Sequence, residues 1–141
     1  MSYAERSAYA EWRDLEGVLV LSAARTNLEI DERVALLPST PGSAGAQRVL
    51  VGLRACTLRW EGFFTRVQAP FALSALPRLC VGARGELIWG VAGNMDGAPK
   101  AGYPMVVAER RVSAPQGGGM LLRLVFQSDG APLFADQAVW D

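Results

Sequence analysis

The sequence predicts a mainly β domain, a single antiparallel β-sandwich or β-barrel of about eight strands with one N-terminal α-helix. Three observations support this prediction. Apolar residues alternate with a period of two in several stretches. Turn-forming residues recur every ~8–12 residues between those stretches. The length of 141 residues fits one domain over residues 1–141, with a helix over 2–16 and an antiparallel sheet over 17–141.

The N-terminal helix is predicted from capping and spacing signals. Ser2 and Glu5 match the capping box that begins many helices. Trp12 and Leu15 then follow near helical spacing, and Gly17 suits the position just after a helix end. We expect this helix to lie across the sheet or to plug one end of a barrel.

The longest β-like run covers residues 48–60, and we predict it to be a central strand. Four apolar residues share one parity of this run and the other parity is mixed, a combination that suits a central position in a curved sheet. Further β-like runs at 105–112, 120–127 and 133–140 are separated by Gly- and Pro-rich turns, which indicates antiparallel pairing of neighbours. The apolar parity consists of Val49, Val51, Leu53 and Ala55.

The composition excludes several kinds of chemistry. The chain has no histidine, so it lacks the commonest general base and metal ligand, and Ser-His-Asp catalysis within the chain is excluded. No metal site and no cofactor are predicted, and the chain is interpreted as leaning away from enzymatic activity. Cys56 and Cys80 both lie in apolar runs, which favours two reduced, buried thiols; a disulfide between neighbouring strands is the alternative.

The charge is balanced overall, with 14 basic and 14 acidic residues, which argues against nucleic-acid binding. Between Val34 and Arg84, however, six arginines accompany one acid, Glu61. These arginines either alternate along exposed strand faces or form a basic patch for an anionic ligand or an acidic partner. No signal peptide and no apolar run of the ~20 residues that a membrane span needs is visible, so we expect a cytoplasmic protein without a membrane partner.

The sequence is compatible with two functions. The first is a non-catalytic binding protein of the inhibitor, immunity or adaptor kind that acts on a protein partner through an aromatic and arginine surface. The alternative is a small β-barrel that binds an apolar small molecule in an internal pocket, with or without cofactor-free catalysis. Half-apolar second faces on several strands also suggest a homodimer. The candidate ligand- or partner-binding residues are Trp60, Trp89, Tyr103, Arg54, Arg59 and Glu61.

Overall fold

The computed structural model describes residues 8–21, 25–38, 49–64, 73–113 and 120–141. These residues form one antiparallel sheet of seven strands in the order β2-β1-β5-β6-β7-β4-β3. A short 3₁₀ helix, Leu73–Leu79, precedes β5. The strands are β1 (Tyr9–Asp14), β2 (Gly17–Val20), β3 (Arg25–Pro38), β4 (Val49–Phe64), β5 (Arg84–Gly90), β6 (Ala101–Ser113) and β7 (Met120–Ser128).

The sheet curls around its own apolar face, which we call the inner face. The rings of Trp12 on β1 and Phe126 on β7 lie 5.3 Å apart, although three strand spacings of a flat sheet would separate them by ~14 Å. The indole Nε1 of Trp60 on β4 likewise donates a hydrogen bond to the carbonyl of Leu21, just after β2 (3.0 Å). The core therefore lies inside the curl. Its largest fully buried side chains include Trp12, Leu21, Leu58, Trp60, Leu87, Tyr103, Met105, Leu122 and Phe126.

The mainly β, antiparallel class is confirmed, but the predicted closed sandwich or barrel is wrong. The described residues contain seven strands, and the two edge strands, β2 and β3, are not paired with each other. Period-two alternation indicates which face of a strand is buried, but it contains no information on whether the two edges of a sheet meet. The observed architecture is an open, curled sheet.

The predicted helix over residues 2–16 is also wrong. Residues 8–16 include strand β1 and a turn, and residues 1–7 lie outside the described part of the chain. Trp12 is fully buried because it pairs with β2 on one side and β5 on the other, and these cross-strand contacts outweigh local helical spacing. Leu15, which the helix would have buried, is 107% exposed in the turn. Gly17 has a φ of 126°, but it closes a hairpin, not a helix.

The predicted last strand is absent apart from one isolated bridge. Residues 129–141 instead form an irregular strap across the outer face of β5 and β6. The backbone amide of Leu133 donates to the carbonyl of Gly102 (2.8 Å). The ammonium group of Lys100 lies 4.4 Å from the ring centre of Phe134 and 5.5 Å from that of Trp140. The C-terminus is thus tied to the sheet by aromatic and cation–π contacts.

The 3₁₀ helix is anchored to the β1–β2 hairpin by an ion pair. Arg78 donates two hydrogen bonds to the carboxylate of Asp14, from Nη2 (2.8 Å) and from Nε (3.1 Å). The two side chains are only 18% and 14% exposed, respectively. Arg78 is the main reason that the pKa of Asp14 lies below its ordinary value of 3.8, and hydrogen bonds from the amide of Glu16 and the indole of Trp12 add to this effect.

This lowered pKa predicts an acid-dependent loss of stability. Because Asp14 has a lower pKa in the folded chain than in the unfolded chain, its contribution is complete above about pH 5 and is lost as the pH falls through the folded-state pKa. The stability difference between the wild type and Asp14→Asn should therefore shrink between about pH 5 and pH 2. Urea unfolding of both proteins at a series of pH values measures this difference, and two parallel curves would contradict the prediction.

The two cysteines differ in their surroundings. Both are free thiols, but Cys56 is buried on the inner face whereas Cys80 is exposed, so the prediction of two buried thiols is wrong for Cys80. Burial, together with the nearby charges of Glu32 and Asp31, raises the pKa of Cys56 to about 12. Within the described residues, no helix has the length and apolar character needed to cross a membrane.

Candidate assembly surface

The three aromatic candidates from the sequence are all buried in the core. Trp60, Trp89 and Tyr103 lie on the inner faces of β4, β5 and β6. The rings of Trp89 and Tyr103 stack with their centres 6.0 Å apart. The structure thus uses these residues for packing, and a binding role for them stays an untested prediction.

Arg54 lies where β4 leaves the core. Its guanidinium forms a bidentate ion pair with Asp136 of the strap, with distances of 2.6 and 3.2 Å. This pairing raises the pKa of Arg54 and lowers that of Asp136. Nearby, the hydroxyl of Tyr103 donates to Glu32 of β3 (3.1 Å), and burial followed by this acidic neighbour raises the pKa of Tyr103 to about 12. Polar contacts therefore surround the place where β3 and β4 extend beyond the other strands of the sheet.

Arg59 and Glu61 lie on the opposite, outer face of the sheet. Glu61 accepts a hydrogen bond from Nε of Arg123 on β7 (2.6 Å). Arg59 is paired in register with Glu29 on one side and Val125 on the other. The structure does not bring these two residues together with the aromatic candidates, because successive residues of a strand point to opposite faces. The proposed aromatic and arginine cluster is split between two faces.

Sequence reasoning missed the most unusual surface, a two-stranded extension beyond the core. We call residues 33–38 of β3 and 49–55 of β4 the arm. Along β4, the side chains change from buried at Cys56 and Leu58 to 70% exposed at Val51 and 88% exposed at Leu53. The apolar alternation that predicted a central strand does not lead to burial in this part of β4, because Val51, Leu53 and Ala55 are all exposed. Residue 48 lies outside the described residues, and the side chain of Val49 is not described.

The arm exposes aliphatic side chains on both of its strands. A two-stranded hairpin without a packed face is marginally stable in water, and contiguous apolar surface on a soluble protein generally marks an interaction site. The one sequence signal for it is the Pro- and Gly-rich stretch over residues 38–45 between two long β-like runs. The exposed arm residues are Val34, Leu36, Leu37, Leu50, Val51 and Leu53.

The sheet also has two unlike edges. β2 forms one edge with four residues, and β3 forms the other with 14 residues. An edge strand leaves one row of backbone N–H and C=O groups without a ladder partner and can pair with another chain. Pro38 at the end of β3 lacks an amide hydrogen, which is compatible with an edge position. The chain therefore has unlike surfaces at its two sides.

Metal chemistry has no geometric support in the part of the chain that the structure describes. No group of three or more Cys, Asp or Glu side chains there is arranged to hold a metal ion. Within the described residues, the geometry offers instead an apolar arm, a charged outer face and two sheet edges without a paired strand, all of which suit contacts with other protein chains.

No protein-family model matches the chain, and no curated protein matches it either. Solved structures with the same fold do exist. One is a chain from the tail of an empty gene transfer agent (GTA) particle, in a structure computed with helical refinement and C6 symmetry. It matches with a TM-score of 0.71 at 15% identity, over 96% of this chain and 99% of that one. A chain from the virion of the native GTA particle matches with a TM-score of 0.68 at 16% identity, over 90% and 95% of the two chains.

A third structure extends the likeness to another tail. A chain of the SPP1 tail tube, solved by solid-state NMR and cryo-EM, matches with a TM-score of 0.69 at 10% identity, over 95% of this chain and 78% of that one. At these identities, the likeness establishes the fold.

These neighbours correct the functional predictions from the sequence. The inhibitor, immunity or adaptor protein and the apolar small-molecule carrier are both contradicted, because the neighbours are chains of a GTA particle tail, a GTA virion and the SPP1 tail tube. The predicted protein partner, small-molecule ligand and homodimer are contradicted for the same reason, and one neighbour has sixfold symmetry. A cytoplasmic location stays a prediction. The chain has the fold of subunits found in the tails of GTA particles and in the SPP1 tail tube.

Proposed function

We propose that this chain is the repeating subunit of a tail tube, and that its copies assemble into six-membered rings that stack into a hollow polymer. The observation that carries the proposal is the apolar arm, which projects from a fold shared with tail proteins. The partner of the arm is a second copy of this chain. Catalysis has no part in this function, which depends on shape and on buried area between copies.

The energetics favour an assembly in which each copy makes several contacts. Burying a fully exposed aliphatic side chain contributes about 1.5–3 kcal/mol, so six partly exposed ones contribute on the order of 5–10 kcal/mol. Association of two proteins costs about 4–15 kcal/mol in lost freedom. One arm contact is therefore marginal by itself. In a polymer, each copy makes two arm contacts, one through its own arm and one with the arm of a neighbour, and it also makes lateral contacts. A polymer is therefore more stable than an isolated pair.

The two unlike edges favour a head-to-tail arrangement around each ring. If β3 of one copy faces β2 of the next, the contact is heterologous, because the two surfaces differ. Heterologous contacts close into a ring when the rotation between copies divides the full circle, and sixfold closure is the symmetry of the GTA tail. An isologous dimer would require one edge to pair with itself.

Charging the arm is expected to abolish polymer formation without unfolding the subunit. In Val51→Glu/Leu53→Glu, two exposed aliphatic side chains become carboxylates that a neighbouring copy would have to desolvate. The wild type should form tubes of uniform diameter in electron micrographs and sediment as a large species. The double variant should sediment as a small species and keep the thermal unfolding midpoint of the wild type.

Leu15→Glu is the matched control, because Leu15 is fully exposed in the β1–β2 turn, away from the arm. We expect this variant to form tubes like the wild type. Tubes of normal abundance from the arm variant would show that the arm is not an assembly element. A wild type that sediments as a monomer over a wide range of concentration and salt would contradict the proposed function itself.

A further inference from the structure

Each strand of the arm is tied to a different part of the chain at the base of the arm. On β4, the guanidinium of Arg54 forms the bidentate ion pair with Asp136 of the strap. On β3, Glu32, the residue just before the arm, accepts the hydrogen bond from the hydroxyl of Tyr103 on β6. We call these two contacts the clasp. Two attachments on two strands fix a direction, which one attachment would not.

The clasp lies where the sheet stops supporting β4. The ladder between β4 and β7 ends at Thr57, and the amide of Cys56 donates instead to the side-chain oxygen of Ser128 (2.9 Å). Over residues 49–55, the only strand paired with β4 in the described part of the chain is β3. A two-stranded hairpin without a packed face is marginally stable by itself, so the contacts at its base decide how it is held.

Asp136 is held in place by the strap around it. The ammonium group of Lys100 lies against the rings of Phe134 and Trp140, on either side of Asp136 in the chain. The backbone amide of Trp140 also donates to the carbonyl of Ala98 (2.9 Å). Exposed ion pairs are usually weak, because two flexible side chains must be ordered to form them. This pair is bidentate and one partner stands on an anchored backbone, which reduces that cost.

A β-bulge lies immediately beyond the clasp. The pairing shifts between Val34 and Leu36 of β3, where one residue of β3 faces two residues of β4, Gly52 and Leu53. A Cβ atom at Gly52 would lie 3.1 Å from the Cβ of Ala35, so the two strands approach closely here. A bulge bends its strand and interrupts the ladder. The bulge therefore marks the point at which the outer part of the arm departs from the line of the sheet.

We infer that the clasp sets the direction of the arm in the free subunit, and that the arm bends at the bulge just beyond the clasp. The clasp thus preorganises the arm, and preorganisation lowers the entropic cost of any contact that the arm then makes. The effect of the clasp on the free subunit stands by itself, whereas its effect on tube formation rests on the proposed function.

Two variants break the clasp, one on each strand. Asp136→Asn removes the charge that Arg54 binds, at a side chain that is 72% exposed. Tyr103→Phe removes only the hydroxyl that binds Glu32, and it keeps the ring that stacks on Trp89. Both variants should therefore fold, which thermal unfolding verifies.

Spin labels on the arm and on the far edge of the sheet measure the direction of the arm. Leu37→Cys places one label on the arm and Val18→Cys places the other on β2, and both positions are exposed. Cys80→Ser removes the exposed native thiol, whereas Cys56 is fully buried and escapes labelling. Double electron–electron resonance then gives the distribution of distances between the labels, at a protein concentration below that of tube formation.

The intact clasp should give one narrow distance distribution, and each variant should give a broader one. An exposed ion pair changes an equilibrium by about fivefold at most, so amide exchange over residues 49–55 should be about two- to fivefold faster in Asp136→Asn. The critical concentration for tube formation should rise by a similar factor of about two to five. Salt at ~1 M shortens the Debye length to ~3 Å and should move the wild type toward the variant.

Asp129→Asn is the matched control for Asp136→Asn. Asp129 is also an exposed acid of the strap and also binds an arginine, but its partner is Arg84 of β5 and not a residue of the arm. Its replacement removes the same charge and leaves the clasp intact. We expect the wild-type distance distribution, the wild-type exchange rates over residues 49–55 and the wild-type critical concentration.

The outcomes separate this inference from the proposed function. A wild type with a broad distribution, or one that is as narrow in Asp136→Asn/Tyr103→Phe as in the wild type, would overturn the clasp and leave the tube proposal standing. Equal broadening in Asp129→Asn and Asp136→Asn would also overturn it, because the effect would then belong to the strap as a whole. A wild type that never assembles, but whose arm loses its direction in Asp136→Asn, would overturn the tube proposal and support the clasp.

Discussion

Replacing Trp60 by alanine is expected to lower the free energy of unfolding by about 3–5 kcal/mol. The indole is almost fully buried between β4 and the end of β2, and its Nε1 satisfies the carbonyl of Leu21 at 3.0 Å. Alanine leaves a cavity and removes a hydrogen bond that joins two distant parts of the curled sheet. Because small domains are stable by only about 5–15 kcal/mol, much of the folded population should be lost on mild heating. Urea unfolding measures the change.

Trp60→Phe separates the two contributions. Phenylalanine keeps most of the apolar volume and removes only the Nε1 donor, so the expected loss is about 1–3 kcal/mol, the cost of leaving a buried carbonyl unpaired. Leu15→Ala, at a fully exposed position, should change stability by less than about 0.5 kcal/mol. If Trp60→Ala left stability unchanged but abolished assembly, Trp60 would be a contact residue, as the sequence predicted.

Replacing Gly85 by alanine is expected to cost about 3 kcal/mol, the upper end of the usual range for an overpacked core. A Cβ atom at this position would lie 2.6 Å from the backbone carbonyl oxygen of Arg13 and 2.6 Å from Cζ2 of Trp12. The backbone oxygen belongs to β1, which is paired with β5 and cannot move without breaking that ladder. Thermal and urea unfolding of the variant test this expectation.

A double-mutant cycle identifies the source of that cost. Trp12→Leu removes the ring atoms nearest to Gly85, so the combined variant should be more stable than the sum of the two single effects indicates. Trp12→Leu should not remove the whole destabilisation caused by Gly85→Ala, because the clash of the new Cβ with the carbonyl oxygen of Arg13 remains. Strictly additive effects would show that the tryptophan ring does not determine the need for glycine at position 85.

Much of the β organisation was accessible from the sequence. The runs at 105–112 and 120–127 correspond to β6 and β7, and their antiparallel pairing follows from the turn between them. The alternation of Leu122, Leu124 and Phe126 correctly indicated a buried face. These successes share a cause, because each depends on residues close in sequence and on a period that one strand displays by itself.

The failures concern contacts between parts of the chain that are distant in sequence. The spacing of apolar residues around Trp12 is compatible with a helix or a strand. Pairing with both β2 and β5 stabilises the strand. Val51 and Leu53 alternate in the sequence as a buried face would, but a register shift between β3 and β4 interrupts the alternation there, and no strand among the described residues covers the two side chains. Trp60 and Arg59 were grouped by proximity in sequence, whereas the pleat sends them to opposite faces.

By itself, the sequence determined that this is a mainly β chain of antiparallel strands without histidine chemistry, because composition and period-two alternation are local properties. Only the tertiary structure decided that the sheet stays open, that the first segment is a strand, and that the apolar run of β4 projects into solvent as an arm. The physical reason is that burial depends on which strands come to cover a surface, and that is settled by long-range pairing between strands.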